Sequence, residues 1–251
     1  MPDIVATLIR DASRGNEIDT YLFLRGQDQL DPETRRRIRS DPALAGRLFG
    51  IAHLERLRTD YGFWDNTTLS LKQPLADVVR DGARVLEIGP GPAATLSLYL
   101  YRRKKDLELV CAEIHLPFLA SAQHAIALNR ASIRVIHSDL TAQVPGRFDV
   151  VVMNPPYATT ARLQAMGVRL GSSEAWAGNG GADGSEVVAA FLREVPGSLA
   201  PGGVALLGVN NGHLDHATVL RLIDTAGMCL ARTCYPVDRT PPYSQVYVLR
   251  A

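Results

Sequence analysis

Two textures of apolar and polar positions divide the chain near residue 80. Before it, apolar side chains follow helical spacing. Leu44, Leu48, Ile51, Leu54 and Leu57 recur every three or four positions and predict an amphipathic helix from Pro42 to Arg58 with one buried face. Asp31-Pro32 and Asp41-Pro42 each set a capping Asp before a Pro at the first helical position, where a missing N–H costs no hydrogen bond. From Ala83 the texture changes to short β-branched runs alternating with helical stretches, the pattern of a doubly wound parallel sheet. Strands are expected near 84–88, 107–112, 132–136, 148–153, 203–209, 228–236 and 244–250, and helices near 93–103, 116–129, 185–198 and 214–226. Pro201-Gly202-Gly203 is expected to turn into the fifth strand. The last strand has no helix before it and is expected to pair antiparallel through a turn at Asp238 to Tyr243.

The expected architecture is α/β: a seven-stranded doubly wound sheet over residues 81–251, behind a small helical N-terminal domain over residues 1–80. Residues 158–184, with Gly171-Ser172-Ser173 and Gly178-Asn179-Gly180-Gly181, form a connection long enough to suggest a substrate lid. Trp176 within it reads equally as a lid aromatic or as a plug on the sheet rim.

Composition narrows the function mainly by exclusion. The formal net charge is +1, so no general attraction to nucleic acid or anionic lipid is implied. Arginines at 35, 36, 37, 39, 47, 56 and 58 read better as a solvated helix surface than as an RNA patch. Cys111, Cys229 and Cys234 are an odd set without a CxxC pair and are expected to be reduced. No apolar run approaches the ~20 residues that cross a bilayer, and the first residues lack a leader pattern, so a cytoplasmic location without membrane partner is expected.

Four strand ends carry the candidate chemistry. Val85-Leu86-Glu87-Ile88-Gly89-Pro90-Gly91 joins a carboxylate to two glycines that let a ligand approach the backbone. Glu113 ends Leu109-Val110-Cys111-Ala112, and Asp139 follows Val135-Ile136-His137-Ser138. Val150-Val151-Val152-Met153 runs into Asn154-Pro155-Pro156-Tyr157, which offers an amide oxygen, a free carbonyl and an aromatic face, groups suited to holding an amine or planar nitrogen. Open α/β sheets bind ligands beyond the carboxyl ends of their strands, so these groups should share one crevice. Gly89 to Ala94 also fits the GxGxxA dinucleotide fingerprint, but Pro90 and Pro92 remove two N–H groups that a pyrophosphate would need. His213-Leu214-Asp215-His216 reads as a polar helix start rather than a metal site, and no metal is expected.

Together these strings resemble the class I S-adenosylmethionine-dependent methyltransferases, in the branch that methylates nitrogen, over about residues 83 to 250. The resemblance implies a Rossmann-like fold with S-adenosylmethionine as cofactor and S-adenosylhomocysteine as product. It implies that Glu87, Gly89 and Gly91 cradle the methionine end, that Glu113 with Ile114 takes the ribose, and that Asp139 with Leu140 addresses the adenine. Asn154, which also borders the cofactor, and the Pro155 carbonyl would then accept hydrogen bonds from the target nitrogen while Tyr157 stacks on it. Gly180-Gly181-Ala182-Asp183-Gly184 and Leu199 to Gly203 are similar to the release-factor glutamine methyltransferases, but Tyr61 to Lys72 lacks their Pro-Arg-x-Glu-Thr-Glu motif. The acceptor expected first is therefore a small-molecule or peptide nitrogen. Protein glutamine comes next and a nucleic-acid base third. Attack by an amine on another carbon of the cofactor, and a cofactor-binding regulator without activity, are the remaining readings.

Overall fold

A computed structural model describes residues 31–57, 61–234 and 244–251. Among the described residues, three helices precede the sheet: α1 (Pro32–Arg39), α2 (Pro42–Phe49) and α3 (Asn66–Val78). Asp31 and Asp41 cap α1 and α2 as expected, each accepting an N–H three residues on. The apolar stripe from Leu44 to Leu57 does not make one helix. Gly50 adopts a left-handed conformation at φ +66°, and the Ile51 N–H closes back on the Gly46 carbonyl, so α2 stops at Phe49. Ile51 is still buried, with Leu54 and Leu57 against the core, because an irregular segment can keep an apolar face without continuing a helix. Arg58, residues 1–30 and the turn from Asp238 to Tyr243 lie outside the described residues.

The sheet then forms from β1 (Arg84–Ile88), β2 (Glu108–Glu113), β3 (Ile133–His137), β4 (Phe148–Met153), β5 (Leu199–Asn210), β6 (Cys229–Cys234) and β7 (Ser244–Arg250). Between them run α4 (Thr95–Arg103), α5 (Leu116–Leu128), the short α6 (Thr160–Ala165) and α7 (Ser173–Gly178), α8 (Glu186–Ser198) and α9 (His216–Thr225). The strand order is β3-β2-β1-β4-β5-β7-β6. β1 to β5 are parallel, and β7 inserts antiparallel between β5 and β6. The expected long connection thus holds two short helices, and Pro201-Gly202-Gly203 lies inside β5 beside a register shift.

Two apolar layers cover the sheet. On one face Ile38, Leu44 and Phe49 of the N-terminal helices join Leu71 and Leu75 of α3, Leu96 and Leu98 of α4, and Val85 of β1 in a single cluster. Val188, Phe191 and Leu192 of α8 with Val219 and Ile223 of α9 cover the other. α3 lies unusually close to β5 at Gly208, where an added Cβ would stand 2.7 Å from Thr67 Cγ2 and 2.8 Å from Leu71 Cδ1.

The register sets the site. Ile88 pairs with Met153 on one side and Ala112 on the other, so Gly89, Glu113 and Asn154 leave the sheet at one edge. Glu113 is level with His137, which brings Ser138 and Asp139 to that same edge.

Candidate active site

A cavity of about 330 Å³ opens at this edge. Its wall includes Glu87, Gly89, Gly91, Glu113, Ile114, Asp139, Leu140 and Asn154, so the strand-end residues singled out in the sequence converge. Pro156 lines it too, whereas Pro155 and Tyr157 stand behind the wall. The Tyr157 ring lies 5.9 Å from His213, and its hydroxyl is 2.7 Å from Thr67 Oγ1. Thr67 in turn meets Ser244 Oγ of β7 at 2.8 Å.

Glu87 sits at the cavity floor, nearly inaccessible to solvent. Its Oε2 accepts the Ser97 N–H at 2.9 Å and the Ser97 hydroxyl. Burial raises its carboxyl to about 7, with the Ser97 hydrogen bonds pulling the other way. Cys111 lies beneath, its thiol pushed well above the usual range by burial first and by Glu87 second. Glu113 is also raised by burial, against hydrogen bonds from the backbone amides of His115, Gly91 and Ile114. The His115 N–H donates to Oε1 at 2.9 Å, and Glu113 lines the cavity. Asp139 is exposed at the rim. Leu140 beside it has φ +43° and Ala94, ahead of α4, has φ +47°. Such conformations cost non-glycine residues energy and persist where the surroundings fix them.

At Asn154, Nδ2 donates to Asp65 Oδ1 at 3.0 Å and to Thr68 Oγ1 at 3.2 Å. Its Oδ1 is buried without a hydrogen-bond partner, as is Trp64 Nε1, and both residues line the cavity. A buried acceptor left open this way is costly unless a ligand group completes it.

The opposite wall comes from segments that motif reading passed over. Tyr61, Phe63, Trp64 and Thr68 line it from the entry to α3. His115 stacks on Trp176 of α7 at 5.4 Å and 27°, and meets Phe118 edge-on at 4.5 Å. Trp176 is 52% exposed and belongs to the cavity wall. The signal for the Tyr61 to Thr68 wall was present as an aromatic run ending in an Asp helix cap, but it fits no phosphate, metal or nucleophile pattern. The backbone of residues 154–157 is tied from behind by the glycine segment. An added Cβ on Gly180 would stand 2.7 Å from Tyr157 Cα and 2.9 Å from the Pro156 carbonyl oxygen. At the other suspected site, Asp215 caps α9 and His216 stacks on Tyr247 at 5.6 Å, as a polar helix start should.

Residues 62–169 match the family described as methyltransferase small domain. The sheet order, the antiparallel β7 and the strand-end cavity agree with that match. This chain has the class I methyltransferase fold. A crystal structure of a methyltransferase from Pyrococcus furiosus superposes with a TM-score of 0.58 at 17% identity, over 89% of this chain and 97% of that one. Among curated proteins, a putative protein N5-glutamine methyltransferase of Methanocaldococcus jannaschii is 34% identical over 120 residues, 48% of this chain and 58% of the relative. A ribosomal RNA small subunit methyltransferase C of Pasteurella multocida is 38% identical over 74 residues, 30% of this chain and 22% of the relative. The aligned segments thus span less than two thirds of these relatives. Among the described residues of this methyltransferase fold, no helix is long and apolar enough to cross a membrane.

Proposed function

We propose that the chain is an S-adenosylmethionine-dependent N-methyltransferase acting on an amine or amide nitrogen of a small molecule or peptide. The observation that carries this reading is the unpartnered Asn154 Oδ1, on a residue that lines the same cavity as Glu87 and Glu113. The donor set fits the cofactor. Glu113, backed by three amides, suits a ribose diol; Glu87 places a carboxyl near a cationic sulfonium and amine; Gly89 and Gly91 expose backbone. Bound S-adenosylmethionine would supply the activated methyl group.

The protein's own part is position. Asn154 Oδ1 accepts an N–H group of the acceptor and aims the nitrogen lone pair into the cavity, while Pro155 and Tyr157, which do not line the cavity, buttress the segment from behind. Holding two reactants in a near-attack arrangement supplies about 7–11 kcal/mol, more than one general base typically adds. The aromatic wall of Phe63, Trp64, Phe118 and Trp176 keeps water away from that encounter.

A second reading, protein glutamine as acceptor, is favoured by one specific feature. Trp64 Nε1 is a donor and Asn154 Oδ1 an acceptor, both without a partner and both on residues that line the cavity, and a carboxamide carries the complementary pair. The name of the Methanocaldococcus relative points the same way. Methyl-labelled S-adenosylmethionine, incubated with the protein and with separated small-molecule, protein and RNA fractions of a cell extract, discriminates these acceptors. Label in the small-molecule or peptide fraction supports the first reading, label on protein glutamine the second, and label in RNA overturns both.

A further inference from the structure

We propose that Asp65 and Thr68 are positioning residues that decide which end of the Asn154 amide faces the acceptor, an inference that rests on the methyl-transfer reading above. The oxygen and nitrogen of an Asn amide are nearly the same size, so packing alone does not distinguish the two orientations. Chemistry does. A carboxylate only accepts hydrogen bonds, so the amide atom 3.0 Å from Asp65 Oδ1 must be Nδ2. The Thr68 hydroxyl donates to that same Oδ1 at 2.9 Å, which leaves its lone pair for Nδ2 at 3.2 Å. Rotating the amide by half a turn would set Oδ1 against the carboxylate and push two N–H donors toward the N–H groups of the acceptor. Both contacts would be repulsive.

The arrangement is built from the cap of α3. Asp65 Oδ1 accepts the Thr68 N–H at 2.7 Å, as a helix cap does, and the same oxygen continues to Asn154. Thr67, between them in sequence, holds the Tyr157 hydroxyl. One helix terminus therefore grips both ends of the 154–157 segment, across 86 to 90 residues of intervening sequence. The helical N-terminal region thereby gains a role in the chemistry beyond closing the cavity.

The variants must separate this from helix capping. Asp65→Ser keeps a good cap but is too short to reach Asn154, and Asp65→Asn restores the reach. Thr68→Val removes one partner and keeps the shape, with Thr68→Ser as its rescue. In the ¹⁵N NMR spectrum, the slowly exchanging side-chain NH₂ pair that disappears in Asn154→Asp should also be lost in Asp65→Ser and kept in Asp65→Asn. With the acceptor found by labelling, turnover should fall about a hundredfold in Asp65→Ser and about tenfold in Thr68→Val, with S-adenosylmethionine affinity within twofold of the wild type. An unchanged NH₂ pair in Asp65→Ser, or an equal loss of turnover and cofactor affinity, overturns the proposal. A wild-type protein that labels no fraction would sink the methyl-transfer reading instead, and the amide resonances would still decide whether Asp65 orients Asn154.

Discussion

The carboxamide of Asn154 and the carboxyl of Glu87 line the cavity, and each has a measurable signature. Asn154→Ala removes the open acceptor and leaves Glu87, Gly89, Gly91 and Glu113 in place. Loss of one preorganised hydrogen-bond partner at a reacting group typically costs about 10²- to 10³-fold in turnover. Turnover should fall by that order while calorimetric affinity for S-adenosylmethionine stays within twofold. Glu87 predicts a pH dependence. Its folded carboxyl is raised to about 7 from 4.5, so the folded protein keeps a proton that the unfolded chain releases. Its contribution to stability is full below about 4.5, declines as pH climbs toward 7 and is flat beyond, a span of about 3 kcal/mol at most. A bound cation favours the ionised form, so S-adenosylmethionine should bind more tightly as pH rises from 5 to about 7. Titration calorimetry across that range checks it, with Glu87→Gln expected to flatten the profile.

At the scale of elements, the contact of α3 with β5 sets how near the N-terminal region comes to residues 154–157. Gly208 permits that contact, and its backbone is not left-handed, so a substitution there acts through space alone. Gly208→Ala should push α3 outward, destabilise the fold by about 1–3 kcal/mol in urea unfolding, and lower turnover beyond what the stability loss explains. A variant with normal turnover would mean that α3 can shift without releasing Asn154. The strands were readable because most are short apolar runs, rich in β-branched residues in β1, β3 and β4, and β1, β2 and β4 fall within a residue of expectation. The helix expected through Arg58 shows the limit of periodicity, which detects a buried face but not the Gly50 turn that ends the helix under it. The residues lining the cavity from Tyr61 to Thr68 were not readable for a related reason. Their partners lie across the sheet, and neither Asp65 nor Thr68 has a local pattern that names Asn154.

For the whole molecule, charge and wall chemistry bear on the acceptor. A chain of net charge +1 with an aromatic wall around the acceptor side has little long-range pull on a polyanion. Affinity for the acceptor should therefore change less than threefold between 50 and 200 mM salt, whereas an interface neutralising 6–10 phosphates loses about 10³- to 10⁵-fold. A steep salt slope in equilibrium binding would reverse the preference for a small molecule or peptide. The stacking of Trp176 on His115 has a practical consequence as well. The chain has two tryptophans, and the other, Trp64, lines the same cavity. All of the protein's indole emission therefore originates in the walls of the site, and the unlabelled protein is its own optical gauge of occupancy.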